Sequence, residues 1–284
     1  MSVDPTKTTT LRGNLATKLH KMLVESMLEV LKLMDMGLAF NSLSPDQINA
    51  MVRWLDSRIK STNADAELKK AVSKAYGKAA ARTHTRSKRG MTGPNAGAEL
   101  KGFMESFKGP ETLNKLETLY QSFSSDVKGL TDQTLRRIRN IMADGVIKKQ
   151  TKKEIVAEVT KHVKKLPKWK IQRIVNTNIV KVSAEGALDA MERLGVVELT
   201  VSVEWSTAKD SKVCPKCKPL GGMVLTIKKA RGMFPVHPNC RCMPIPAPNK
   251  KPTTQRVLKS RVRQSLKSEP RKSKWRQKAK SLVA

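Results

Sequence analysis

Apolar residues in the first 194 positions recur mainly at intervals of three and four, which is the periodicity of amphipathic α-helices. Helical apolar faces are predicted within residues 15–34, 48–59, 155–163 and 171–191. Ser44 with Gln47, and Thr151 with Glu154, have the residue types and spacing of a capping box. We therefore expect one helix to begin just after Ser44 and another just after Thr151.

The stretch from residue 96 to residue 147 is expected to contain several separate helices. Phe103 and Phe107 lie on a short first segment that breaks at Gly109-Pro110. A second helix, with apolar residues between positions 113 and 127, is expected to end at Gly129. A third helix then follows, with Ile138 on its inner face.

The period changes from helical to alternating after residue 196, where valine and leucine alternate with polar residues up to Val203. Alternation predicts a half-buried strand, and residues 224–227 are its expected partner after the Gly221-Gly222 turn. The predicted fold class is α+β and predominantly α-helical. Residues 1–90 form a helical N-terminal region with a basic helix, residues 91–247 a helical domain ending in a small β-containing segment at 197–247, and residues 248–284 a polybasic tail.

All four cysteines lie between Trp205 and Pro246, as Cys-Pro-Lys-Cys and Cys-Arg-Cys, with a histidine three residues before the second pair. In a structural Zn²⁺ site, two ligands typically lie on a tight turn and the others on a returning segment. The spacing of these residues is typical of such a site. Five candidates compete for four positions. Those favoured are Cys214, Cys217, His237 and Cys240, with Cys242 as the spare. A segment this small buries too little apolar surface alone, so bound zinc would stabilise it.

Disulfides and unmodified thiols are the two other interpretations of these cysteines. Residues 1–11 lack the apolar core of a signal peptide, so we expect a reducing compartment, which disfavours disulfides. A catalytic zinc site keeps a bound water and a nearby acid, but Asp210 is the only carboxylate between Trp205 and Pro246. We therefore expect a structural site and no catalytic residue.

The charge is strongly unbalanced, with 56 Lys and Arg against 24 Asp and Glu and a formal net charge of +32. Such a chain attracts polyanions, so nucleic acid is the expected partner. An anionic membrane is a weaker alternative because aromatic residues are few, and no apolar run is long enough to span a bilayer. In the predicted helix 64–86, basic residues recur every fourth position. They are Lys70, Lys74, Lys78, Arg82 and Arg86. This stripe is interpreted as a phosphate-backbone contact or, alternatively, as a solvated face.

The tail, residues 248–284, contains 13 Lys and Arg and a single acid, Glu269. Because it has few large apolar residues, it is expected to be disordered or marginally helical when free. Trp275, between two basic residues, could stack on a base or dock into a partner. The nucleic-acid candidates in the tail are Arg261, Arg263, Arg271, Lys272, Lys274, Trp275 and Arg276. A tail that only aids solubility is the alternative.

A specific order of motifs spans the second half of the chain. It reads GALDAMERLGV at 186–196, VEWSTAKD at 203–210, then CPKC, a Leu-Gly-Gly turn and HPNCRCMPIP. Because these motifs occur in this order, residues 131–248 resemble the phage Mu F-type minor head protein family, also called phage head morphogenesis proteins. The family usually has Arg-Thr-Glu where this chain has Asn176-Thr177-Asn178. The resemblance does not extend to residues 1–130 or to the tail.

The resemblance implies a minor capsid component of a tailed phage that lies near the portal inside the head and can enter the cell with the genome. Its implied partners are the portal protein and other head proteins, and the net charge adds double-stranded DNA bound without base specificity. Its implied locations are the capsid interior and, during assembly, the host cytoplasm.

Two alternatives belong to other functional classes. A zinc-stabilised nuclease would need a general-base histidine, but His20, His84 and His162 lie far from the cysteines in sequence. A zinc-containing DNA-binding regulator would need a recognition helix between Cys217 and His237, where none is evident from the sequence.

Overall fold

The computed structural model describes residues 5–35, 44–60, 62–87, 96–194, 202–208, 210–247, 250–267, 269–270 and 273–283. Contacts within the chain define two units. We call Gly13–Lys69 with Tyr120–Val175 the helical unit. We call Met1–Arg12 with Lys70–Leu119 and Asn176–Ala284 the cysteine unit. The predicted boundary at residues 90–91 and the predicted strand residues 197–201 lie outside the described residues.

The structure is predominantly helical with one small sheet, as the sequence predicts. The helices before the sheet are α1 (Thr9–Asp35), α2 (Pro45–Lys60), α3 (Ala64–Ser87), α4 (Ala96–Glu105), α5 (Pro110–Ile147), α6 (Lys152–Lys164) and α7 (Lys168–Arg193). The later elements are β1 (Ser202–Ser206), β2 (Val224–Leu225), α8 (Ile227–Ala230), β3 (Met243–Ala247), α9 (Gln255–Leu266) and α10 (Lys274–Val283). Across the described ranges, no helix has both the length and the apolar character needed to cross a bilayer.

The helical unit buries the aliphatic stripes that the periodicity predicts, with Leu19, Leu55 and Ile138 fully enclosed. Both predicted capping boxes are confirmed. The Ser44 amide donates to Gln47 Oε1 at 2.8 Å, and the Thr151 amide donates to Glu154 Oε2 at 2.7 Å. Each box satisfies amide groups that a helix N-terminus leaves without an intrahelical partner, which fixes where α2 and α6 begin.

The prediction that a helix ends at Gly129 is wrong, because α5 continues through it to Ile147. Glycine disfavours a helix interior by only about 1 kcal/mol relative to alanine. The side chains of Phe123, Leu130 and Leu135 are buried on either side of Gly129. Their burial outweighs that local preference.

The sheet of the cysteine unit is antiparallel, with β1 between β2 and β3. Val203 of β1 pairs with Leu225 on one side and with Pro246 on the other. The partner strand predicted at residues 224–227 is confirmed for Val224 and Leu225, whereas Thr226 caps α8 and Ile227 begins it. Strand β3 was not predicted, because its two prolines lack amide protons; prolines are tolerated in a strand at the edge of a sheet. Trp205 is fully buried and packs on Phe234, with ring centroids 4.2 Å apart.

The tail is helical, which is the second of the two predicted possibilities, and it packs onto the sheet. Leu258 and Val262 of α9 and Trp275 and Leu282 of α10 are buried in the same core as Trp205. The Trp275 ring meets the Trp205 ring edge-on at 6.1 Å, and its indole N–H donates to Ser265 Oγ at 2.9 Å. The few apolar residues of the tail thus suffice for order because they cover the apolar side of a larger core.

Candidate metal centre and basic surfaces

The first cysteine pair lies on a tight turn, Cys214–Cys217, that we call the first knuckle. The amides of Cys217 and Lys218 both donate to the Cys214 carbonyl at 3.0 Å. This double hydrogen bond closes the turn and directs both sulfurs into one space. Cys217 is buried, while Cys214 is half-buried.

The returning segment His237–Cys242, the second knuckle, is held by helix α7. Asn239 has a φ of 61°, in the left-handed region that asparagine tolerates better than most residues. Its amide donates to Thr177 Oγ1 at 3.1 Å, and Asn176 Nδ2 donates to Asn239 Oδ1 at 3.0 Å. Asn176 and Thr177, which stand where the family usually has Arg-Thr, therefore position the second knuckle. Sequence comparison with the family motif did not predict this role.

The two knuckles bring all five candidate ligands together as one cysteine cluster. His237 Nε2 lies 3.0 Å from Cys214 Sγ and 3.1 Å from Cys217 Sγ, and Cys217 Sγ lies 3.9 Å from Cys240 Sγ. The ligand atoms form two sets of three, and within each set all three atoms lie within 4.8 Å of one another. The first set is Cys214, Cys217 and His237, and the second is Cys217, Cys240 and Cys242. A tetrahedral zinc ion places its sulfur and nitrogen ligands about 3.5–3.8 Å apart. Each set of three could contribute ligands to a metal ion, and a four-ligand site would draw the two sets together around Cys217.

The four cysteines are free thiols in the structure. The 3.9 Å between the sulfurs of Cys217 and Cys240 is far longer than a disulfide bond of about 2.05 Å. His237 is oriented for a ligand role, since its Nδ1 lies 2.7 Å from the Pro238 carbonyl, which can only accept. Nδ1 therefore carries a proton, and Nε2, which faces the sulfurs, is the nitrogen available to a metal ion, as in metal-binding histidines.

The cluster lowers the pKa of Cys214 and Cys240, which favours their thiolate forms, and raises the pKa of Cys217 and Cys242. A hydrogen bond from Cys217, assisted by His237, lowers the pKa of Cys214 to about 4. Burial lowers the pKa of His237, but its hydrogen bond to Cys214 and the charge of Cys240 outweigh burial and raise that pKa to about 9. Without metal, the knuckles thus pair a thiolate with an imidazolium. A metal cation would replace the imidazolium proton as the positive charge.

Trp205 provides an independent test of the fit. Its indole nitrogen is buried and has no hydrogen-bond partner among the described residues. The same indole acts on the pKa of Cys242: Cys217 and Trp205 lower that pKa, whereas Cys240 and burial raise it more. A buried N–H lacking an acceptor costs free energy, and a negatively charged sulfur would supply the acceptor. The indole therefore fits a thiolate at Cys242, the spare candidate of the second pair.

Asp210 is occupied by an ion pair within the site. Arg241, between the second pair of cysteines, binds it through both terminal nitrogens at 2.6 and 2.7 Å. Asp210 also accepts from the Lys212 amide at 3.1 Å. The carboxylate thus joins the segment before the first knuckle to the second knuckle.

The first knuckle is also joined to the tail. Lys216 forms an ion pair with Glu269, whose side chain is only 5% exposed. Burial raises the pKa of Glu269, but Lys216 and Ser273 together lower it more, so this pKa lies below its usual value. The single acid of the tail therefore joins the tail to the first knuckle.

A second buried network stabilises the scaffold of the cysteine unit. Asp189 of α7 accepts from the Tyr76 hydroxyl, from Lys115 Nζ at 2.6 Å and from an Arg231 terminal nitrogen at 2.6 Å. Burial raises the pKa of Asp189, but Lys115 and Tyr76 lower it more. The charged carboxylate thus links α3, α5, α7 and the residue after α8. The sequence offered no local signal of this network.

The basic stripe of α3 lies on the surface, as predicted. Lys70, Lys74, Lys78 and Arg86 are exposed. Arg82 is half-buried and donates to the carbonyls of Lys78 and Thr6, so it also has a structural role. The DNA contact of this stripe stays a prediction.

The tail candidates divide into exposed and structural residues. Arg263 and Lys274 are exposed, while Arg261 donates to the Gly221 carbonyl at 2.9 Å. Arg276 donates to the carbonyls of Leu266 and Glu269. Arg271 and Lys272 lie outside the described residues.

Trp275 requires a correction. Its side chain is only 2% exposed, because it fills the space beside Trp205 in the core. An indole in this position is not available to a base. We therefore remove Trp275 from the residues predicted to contact nucleic acid.

Residues 136–245 match the family model described as Phage Mu protein F like protein. This segment contains α6, α7, most of the sheet and the whole cysteine cluster. A search of curated proteins and a search of solved structures give no significant match. The match confirms the resemblance found in the motifs. It suggests a phage head morphogenesis protein, with head proteins as partners and the virion as its location.

Proposed function

We propose, from the premise that residues 136–245 are a Phage Mu protein F like segment, that this protein is a minor head protein of a tailed phage. In this proposal it lies inside the head near the portal, contacts the portal protein and other head proteins, and can leave with the genome. It binds packaged double-stranded DNA through phosphates and without base specificity.

The main support for the proposal is the position of the family match in the chain. It covers the segment in which α7 holds the second knuckle and the cysteines meet the aromatic core. The net charge of +32 supports the DNA contact, because charge of this sign and size favours a polyanionic surrounding.

The proposed role of metal is structural. Cys214, Cys217 and His237 would hold Zn²⁺ together with a thiolate of the second pair. Cys240 is favoured as the fourth ligand, because its sulfur lies 3.9 Å from that of Cys217, close to the separation in a tetrahedral site. The ion would cross-link the two knuckles, and the protein is proposed to act without catalysis.

Quantitative mass spectrometry of purified, DNA-filled particles tests the proposal. We expect the chain at a few to a few tens of copies per particle, together with the portal protein. Finding it in infected-cell lysate but in neither procapsids nor virions would contradict the proposal. Metal-dependent cleavage of plasmid DNA by the purified protein would contradict its non-catalytic part.

A further inference from the structure

A basic groove lies in the cysteine unit between the turn Lys218–Leu220 and helix α9. It has a volume of about 560 Å³ and is lined by three cations, Lys218, Arg256 and Arg261, with Ser260 and Gln264 beside them. Lys218 and Arg256 are exposed, and Arg261 is half-buried. None of the residues that line it is acidic. The groove therefore attracts anions and offers hydrogen-bond donors to them.

The groove has a fixed shape because both of its walls are anchored. Before α9, the Thr253 amide donates to the Val224 carbonyl, and the Val224 amide donates to Thr253 Oγ1, each at 2.8 Å. Further along α9, Arg261 donates a hydrogen bond to the Gly221 carbonyl. Leu258 is buried on the opposite face of this helix. A ligand of a preformed groove loses less free energy to ordering the protein than a ligand of a disordered tail.

The positive charge continues along α9 beyond the groove. Lys259, Arg263 and Lys267 are also exposed, at spacings of three or four residues from Arg256 onwards. From Arg256 to Lys267 the helical rise is about 16 Å. A row of cations of this length matches an extended polyanion better than a single small anion.

We propose that this groove and the exposed face of α9 bind the phosphate backbone of double-stranded DNA. Lys218 and Arg256 contact phosphates, and Arg261 maintains the shape of the groove. The inference rests on the DNA contact in the proposed function and assigns it to a folded surface. Neither Lys218 nor Arg256 was predicted from the sequence, because only folding brings the first knuckle next to α9.

An acidic protein surface is the competing occupant. Protein interfaces usually have an apolar or aromatic centre, whereas Val257 is the one large apolar side chain among the residues lining this groove, beside Pro219 and the cations. The composition of the groove therefore favours DNA.

The test compares two full-length double variants, each lacking two cations. Lys218→Gln with Arg256→Gln alters the groove. The matched control, Lys101→Gln with Lys228→Gln, removes two exposed cations of the same unit that do not line it. Fluorescence anisotropy with a short duplex of arbitrary sequence is measured over a salt series, and circular dichroism checks that both variants fold.

For the groove variant we expect the slope of log affinity against log salt to fall in magnitude by about 1.8, since each lost phosphate contact removes about 0.9. At about 0.1 M salt its affinity should fall by more than tenfold. The control should keep the wild-type slope.

Equal losses in both variants would overturn the groove proposal and leave non-specific DNA binding intact. Unchanged DNA binding with lost co-purification of portal protein would also overturn it, in favour of an acidic protein partner. Absence of DNA binding by the wild type at low salt would overturn both this inference and the DNA contact in the proposed function.

Discussion

The helical unit and the cysteine unit form their cores by different means. In the helical unit, aliphatic residues three and four positions apart, such as Leu15, Leu19 and Leu23, are buried along one face of a helix. In the cysteine unit, the central contacts join residues far apart in sequence, such as Cys217 with His237 and Trp205 with Trp275. Both units thus bury an apolar core, and the cysteine unit adds a few chemically distinct contacts between residues far apart in sequence.

This difference implies that equivalent substitutions have unequal effects in the two units. Loss of one aliphatic side chain leaves most of the helical core in place. Loss of one cluster residue removes a cross-link on which both knuckles depend. The following predictions compare the two units directly.

The largest effect is expected from Cys217→Ser. Cys217 belongs to both sets of potential ligands, so its loss should abolish metal binding. Zinc contributes about 10–16 kcal/mol of apparent binding free energy in zinc-finger peptides, so the cysteine unit should lose much of its structure. Hydrogen exchange should show lost protection in residues 202–283 and retained protection in residues 120–175.

The control for Cys217→Ser is Ile138→Ala, which removes a fully buried side chain of the helical unit. It should cost about 2–5 kcal/mol and leave the metal content unchanged. If Cys217→Ser left the protection of residues 202–283 unaltered, the proposed dependence on metal would be wrong.

The next largest effect is expected from Trp275→Ala. It should destabilise the cysteine unit by about 3–5 kcal/mol, because it leaves a cavity beside Trp205. Trp169 of the helical unit is 59% exposed, so Trp169→Ala should change stability by less than about 0.5 kcal/mol. Thermal unfolding followed by circular dichroism measures both. Equal costs would show that Trp275 is not part of the core.

Gly186→Ala is expected to cost less, about 1–3 kcal/mol, through overpacking. Its Cβ would lie 2.6 Å from the Tyr76 carbonyl oxygen, so the backbones of α3 and α7 would have to separate. In the helical unit, the Cβ of Gly145→Ala would meet side-chain atoms of Ile155 and Gln150, so side chains would have to shift but two helix backbones would not. Urea denaturation should rank Gly186→Ala as the more destabilising, and the reverse order would refute the close approach of α3 and α7.

The smallest effect is expected from Thr151→Ala, which removes the capping side chain of α6. It should cost about 1 kcal/mol, since the Glu154 amide loses its acceptor. The effect should be confined to residues 152–164 in hydrogen exchange. Thr118→Ala, a mid-helix control exposed on α5, should leave those residues unaffected.

Features encoded locally could be predicted from the sequence. The capping boxes at Ser44 and Thr151 act over three residues, and the buried stripes follow helical periodicity, so both were found. The metal-ligand motif was also evident, because the spacing of Cys214 and Cys217 is itself the structural signal. The family resemblance placed the cluster in the right segment.

Features that depend on long-range contacts could not be predicted. The ion pair of Lys216 with Glu269 and the burial of Trp275 require the tail to fold back onto the sheet. The composition of the tail predicted disorder or a marginal helix and gave no sign that its few apolar residues join a larger core. The break expected at Gly129 failed for a related reason, since packing of neighbouring apolar residues overrides a weak local preference.

Native mass spectrometry of the purified full-length protein tests the central claim most directly, namely that a metal ion joins the two knuckles. We predict one zinc ion per wild-type chain, lost on chelation together with the near-ultraviolet signal of the buried tryptophans. A metal-free chain that keeps this signal, or a chain whose mass shows the knuckles joined by disulfides, would contradict the account.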